Sequence, residues 1–137
     1  MKLLFLLMLN CFHTTAQNMF PLLIVSDSTT LTIEVLQIIT EMVDGEEKLV
    51  DFMEDIKVEV VELDSLHYYV RLPAKGFYVV TPICNKTKRR KPLYVHTENI
   101  WIKDPFVVTP DFENHNSMNI KYNKAAKSYQ YLVIRED

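Results

Sequence analysis

Apolar residues along this chain fall mostly in short runs with a spacing of two, not in the three-to-four spacing of an amphipathic helix. The alternation is clearest at Ile56, Val58 and Val60, with Lys57 and Glu59 on the opposite side, which is the pattern of a half-buried strand. Segments 68–72, 77–83, 93–96, 118–122 and 129–134 are rich in β-branched and aromatic residues and are bounded by turn formers. Short strands at such spacing predict a mainly β fold, a single antiparallel β-sandwich. Residues 31–43 also fit a helical stripe through Leu31, Val35, Ile38, Ile39 and Met42, but their β-branched density predicts a strand. The next stretch carries two readings. Asp44 ahead of Glu47, followed by the apolar set Leu49, Val50, Phe52, Met53 and Ile56, predicts one short helix near residues 45–55. Alternatively, Asp44-Gly45 supplies the positive φ values of a tight turn and makes the same stretch a β-connection.

The beginning of the chain has a different pattern. Lys2, the apolar run 3–9 and the small residues Thr14, Thr15 and Ala16 predict a signal peptide over residues 1–16, with one β-sandwich domain over 17–137. A buried N-terminal element is the competing reading, and a lipid-anchored Cys11 would lack the small residue such a cysteine normally follows. The apolar run is far shorter than the roughly 20 residues of a membrane-spanning helix, so no transmembrane segment is expected. A secreted, periplasmic or cell-surface location follows from the leader. Its removal would take Cys11 away and leave Cys84 as the lone thiol, either buried as a small hydrophobe or paired between molecules.

Composition narrows the function. The hydrophobic share of 48% and the charged share of 24% are those of an ordinary globular chain. A formal net charge of −3 gives no overall attraction to nucleic acid. With Gly45 and Gly76 as the only glycines, no glycine-rich phosphate loop and no serine nucleophile elbow can be built. A Cys84 thiol mechanism with His67 or His96 has no spacing to enforce it, and no cofactor motif is present. His96 with Glu98, and Asp111, Glu113 and His115, could each place ligands on one side of an extended segment. Solvated loop residues account for them better, because a zinc site needs three or four convergent ligands. Tyr68, Tyr69, Trp101 and Tyr129 are expected mainly in the core, with a carbohydrate or protein platform as the alternative.

One local feature stands against the acidic background. Lys86, Lys88, Arg89, Arg90 and Lys91 place five cations in six positions, between the strand ending near Ile83 and the one beginning near Leu93. A hairpin tip needs lysine only to discourage edge pairing, so this density marks a candidate site for an anionic partner. Arg89 and Arg90 could fork two oxygens each, with the lysines as point charges. Asn85-Lys86-Thr87 is also an N-glycosylation sequon.

The run Val70-Arg71-Leu72-Pro73-Ala74-Lys75-Gly76-Phe77-Tyr78-Val79-Val80 resembles the L-P-x-G-x-Y-x-V strand-turn-strand of transthyretin-like, carboxypeptidase regulatory-like domains of secreted bacterial proteins. Asp44-Gly45-Glu46-Glu47-Lys48-Leu49, Ile56-Lys57-Val58-Glu59-Val60 and Leu93-Tyr94-Val95-His96-Thr97 are similar to other turns and strands of that family. Leu63-Asp64-Ser65-Leu66 replaces the family's Asp-rich turn. The resemblance implies a β-sandwich with a binding or structural role and carries over no active-site residue. The expectation is therefore a secreted or surface-associated, non-catalytic module that recognises a protein, a glycan or an anionic surface polymer. The alternative is a small secreted effector or immune modulator on an immunoglobulin-like scaffold.

Overall fold

The computed structural model describes residues 19–53, 58–114 and 116–134; the side chains of 49, 51–53 and 134 fall outside that description, as do the leader and Cys11. Ten strands follow one another: β1 (Met19–Val25), β2 (Leu31–Val43), β3 (Glu46–Met53), β4 (Glu59–Glu62), β5 (His67–Pro73), β6 (Gly76–Cys84), β7 (Leu93–Thr97), β8 (Phe106–Val108), β9 (Ser117–Asn123) and β10 (Ser128–Ile134). They form a four-stranded sheet in the order β4-β5-β1-β8 and a six-stranded sheet in the order β10-β9-β7-β6-β2-β3. The expected mainly β sandwich is what forms, with two departures from a purely antiparallel one: β1 pairs parallel with β8, and β7 parallel with β9.

Period-two alternation builds the core. Tyr68, Val70 and Leu72 of β5 face Phe20, Leu22 and Ile24 of β1. These join Tyr78, Val80, Leu93, Val95, Met118, Ile120 and Tyr129 from the other sheet in one buried cluster. Each fully buried aliphatic chain contributes about 1.5–3 kcal/mol relative to exposure. Tyr68 and Tyr129 are thus core residues, and their hydroxyls are satisfied. The Tyr68 hydroxyl accepts from the Leu31 amide at 2.8 Å and donates to the Ser65 carbonyl at 2.9 Å, tying the two sheets together.

Residues 31–43 form a strand, as their β-branched content predicts. The short helix near residues 45–55 does not form among its described residues; β3 occupies 46–53. Asp44 and Gly45 take φ values of 52° and 80°, the two positive angles a two-residue hairpin needs, and Glu46 pairs with Val43. Cross-strand pairing of β3 with β2 overrides the local helix signal. The alternating run 56–60 is split: Glu59 opens β4, while 56 and 57 lie outside the described residues. Strand β1 was hidden from the pattern by Pro21. This proline is tolerated because β8 pairs only with residues 22–24 of β1, leaving the position of Pro21 unpaired on that side. No helix among the described residues is long and apolar enough to cross a membrane.

Candidate functional site

The six-stranded sheet has a second apolar face, turned away from the core. Residues directly opposite one another in a sheet share a face, and the register places Ile38, Phe77 and His96 in one row and Leu36, Val79, Tyr94, Asn119 and Leu132 in the next. Ile38 and Val79 are each only 8% exposed although neither belongs to the core cluster. The His96 ring stacks on Phe77 at 3.8 Å between centroids, and Tyr94 meets Phe77 edge-on at 6.4 Å.

Two concavities open around this face. One, of about 430 Å³, is lined by Gln37, Thr40, Glu47, Phe77, His96 and Glu98 among others. Its rim is fixed from beneath: the Tyr129 hydroxyl accepts from the Glu98 amide at 2.8 Å, and the Thr97 hydroxyl donates to the Pro73 carbonyl at 2.8 Å. His96 and Glu98 do share a groove, with Glu47. Yet among the described residues no three His, Cys, Asp or Glu side chains converge to hold a metal ion. Asp111 serves its own turn, accepting from the Glu113 amide at 2.9 Å and the Asn114 side chain at 2.8 Å; His115 lies outside the described residues.

Burial holds the His96 imidazole below its ordinary value of 6.5, helped by the charge of Lys121 and opposed by Glu47 and Glu98. The unfolded chain therefore takes up this proton before the folded one does. Stability should fall as pH drops below about 6.5, and keep falling until the folded ring titrates. Urea unfolding of the wild type and His96→Gln between pH 7.5 and 5, roughly the span of histidine titration, checks this. The variant should lose less stability across the range, and an equal loss would contradict the assignment.

The second concavity, about 220 Å³, lies beside the basic loop and is lined by Arg90, Lys91, Pro92, Tyr94, Asn114, Asn116 and Ser117. That loop closes the β6–β7 hairpin: the Lys88 amide donates to the Cys84 carbonyl at 2.7 Å, the Cys84 amide to the Arg89 carbonyl at 2.9 Å, and Lys88 has a φ of 64°. The five predicted cations do not act alike. Lys86 and Lys88 are exposed and make no ion pair among the described residues. Arg89 lies 3.3 Å from Glu113, and Arg90 pairs with Glu34.

Lys91 leaves the cluster altogether. It is 4% exposed, and its ammonium donates to the Asn114 carbonyl at 2.9 Å, the Asn114 side-chain oxygen at 2.6 Å and the Asn116 carbonyl at 2.9 Å. Lys91 stands in the loop two residues before Leu93 opens β7, and its side chain turns inward onto the 114–116 segment. Its hydrogen bonds go to neutral oxygens, and among the described residues it makes no ion pair with a carboxylate.

Asn85 is also engaged. Its side chain donates to the Thr30 hydroxyl at 3.1 Å and accepts from the Thr32 hydroxyl at 2.6 Å, so the sequon amide holds the loop against β2. Cys84 is buried and free, with the Thr29 hydroxyl 3.3 Å from its sulfur. Hydrogen bonds from Thr29 and then Thr87 pull its thiol down to about 7.

Phe77, Tyr94 and His96 were missed as surface residues, although a signal existed. Strand β6 is apolar at consecutive positions, and a strand without alternation is covered on both faces. No family model matches this chain, and no curated protein or solved structure shows significant similarity to it.

Proposed function

We propose that this chain is a secreted or surface-associated, non-catalytic recognition module that takes an extended anionic glycan along the outer face of its six-stranded sheet. The observation that carries this reading is the 220 Å³ pocket, whose wall sets Arg90 beside Tyr94, Asn114 and Asn116 and, among the described residues, includes no carboxylate. Tyr94 lines that pocket and continues on the same face to Phe77 and His96. Aromatic side chains supply apolar area on which sugar rings lie, while Asn114 and Asn116 offer amides to hydroxyl groups.

The two arginine ion pairs do not block the site. Exposed pairs of this kind are worth about 0–1 kcal/mol, so Arg89 and Arg90 can exchange Glu113 and Glu34 for a sulfate or carboxylate at little cost. Lys86 and Lys88 add attraction at longer range.

Chromatography on heparin–agarose tests the proposal. The wild type should be retained at low salt and elute with added salt, because contacts between exposed charges are screened. Arg89→Ala with Arg90→Ala should abolish retention. Tyr94→Ala should weaken heparin binding by about tenfold, the loss of roughly one aromatic contact. Flow-through of the wild type at low salt would end this reading, whereas capture that survives high salt would point to an apolar protein partner.

A further inference from the structure

The two sheets expose four edges, and one of them is unlike the rest. Strand β3 carries Glu46, Glu47, Lys48 and Asp51; β4 carries Glu59 and Glu62; β8 is three residues long. Charge and shortness are the usual means by which an edge is kept from pairing with another chain. Strand β10 has neither. Its sequence Ser-Tyr-Gln-Tyr-Leu-Val-Ile contains no charge and no proline, and its ladder runs only to β9.

Its side chains point the same way. Tyr131, Leu132 and Val133 are 39%, 53% and 49% exposed, three consecutive apolar residues. Because they are consecutive, they present apolar surface on both faces of the sheet: Tyr131 and Val133 on the side of Ile120 and Met118, and Leu132 on the side of Asn119. An outward row of backbone N–H and C=O groups lies between them, ready for a further strand.

We infer that β10 is a self-association edge, through which two copies of this chain pair antiparallel about a two-fold axis at Leu132. In that register Leu132 meets the partner's Leu132 on one face. On the other, Tyr131 meets the partner's Val133, so every exposed apolar residue of the edge finds an apolar neighbour. The contact is isologous and closes at two copies, which gives a dimer and not a filament. Centred self-pairing of β4 would instead set Glu59 against the partner's Glu62, which is unfavourable. A second copy suits β10 better than a foreign strand because the apolar triplet is its own complement.

Each copy has a formal net charge of −3, so added salt should strengthen the dimer by screening their repulsion. Glycan retention responds to salt in the opposite sense, and either idea can therefore fail without the other. Sedimentation equilibrium of the purified protein under reducing conditions, from micromolar to millimolar, should show a monomer–dimer equilibrium. Leu132→Lys and Val133→Lys should each weaken it by about tenfold or more, with an unchanged strand signal in circular dichroism; both positions are half exposed, so the fold accommodates lysine.

A second measurement fixes the register. In a Cys84→Ser background, Leu132→Cys should oxidise to a reducible dimer, since the two-fold axis sets residue 132 against its counterpart. A wild type that stays monomeric throughout, a dimer indifferent to Leu132→Lys, or an open-ended series of larger species would each overturn the inference.

Discussion

Lys91→Met should destabilise the protein by about 2 kcal/mol, since a hydrogen bond from a charged donor is worth about 1.5–3 kcal/mol and the acceptors here are only partly buried. The variant keeps the apolar stem of the side chain and removes only the ammonium. Two main-chain carbonyls, of Asn114 and Asn116, and the Asn114 side-chain oxygen then lose their common donor. Water can reach part of that loop and recovers some of the loss, and the Asn114 side-chain oxygen keeps the Asn116 amide as a donor at 3.1 Å, so the figure stays below the sum of three bonds. The loop itself should loosen as well. Hydrogen exchange in residues 110–117 should quicken more than in β1 or β5, because those strands share no contact with the ammonium. Chemical denaturation within about 0.5 kcal/mol of wild type, the range of a neutral surface change, would show that Lys91 is an ordinary surface lysine.

Gly76→Ala should cost a similar amount for a steric reason. A β-carbon at Gly76 would stand 2.5 Å from the Tyr78 hydroxyl oxygen and 2.6 Å from two carbons of its ring. Tyr78 is 2% exposed and cannot swing away without disturbing the core. Overpacking of this kind costs about 1–3 kcal/mol. Displacing the ring also breaks the 3.1 Å bond from the Tyr78 hydroxyl to the Pro73 carbonyl, worth about 1 kcal/mol more. Thermal unfolding should fall by on the order of 10 °C. Adding Tyr78→Phe should recover part of that loss by removing the closest atom, and a Gly76→Ala midpoint equal to wild type would contradict the packing argument.

Gly76 also illustrates what the sequence discloses and what it conceals. Its place in Leu72-Pro73-Ala74-Lys75-Gly76-Phe77-Tyr78 marks a strand-turn-strand, and β5, the turn and β6 follow as expected. The reason for the glycine differs from the turn chemistry the motif suggests. Lys75, not Gly76, takes the positive φ, at 49°, while Gly76 makes room for an aromatic ring two residues later. Period-two alternation identified β5, β7 and β9 because their partners on both sides enforce one buried face. It failed at 44–55, where local capping and pairing compete and pairing with β2 prevails. The basic loop was legible as composition, but its division into exposed, paired and buried cations was not. That division depends on Glu34, Glu113, Asn114 and Asn116, which only the tertiary fold brings near. The aromatic outer face was partly legible, through the unbroken apolar run of β6.

The position of β1 has a kinetic consequence. It is the first described strand, yet it lies inside its sheet, pairing with β5 from Met19↔Pro73 onward and with β8 from Leu22↔Phe106. Hairpins such as β2–β3 and β9–β10 close between neighbours in the chain and can form on a microsecond scale of about 1–10 μs. In the four-stranded sheet β4–β5 closes in the same way, but β1 has no such shortcut. It must wait for segments far downstream, and loop-closure entropy is spent before those contacts reward it. During synthesis, the apolar residues Phe20, Leu22 and Ile24 would thus remain without their first partners until Pro73 has emerged and without their last until Val108 has, making β1 a segment that needs shielding from aggregation.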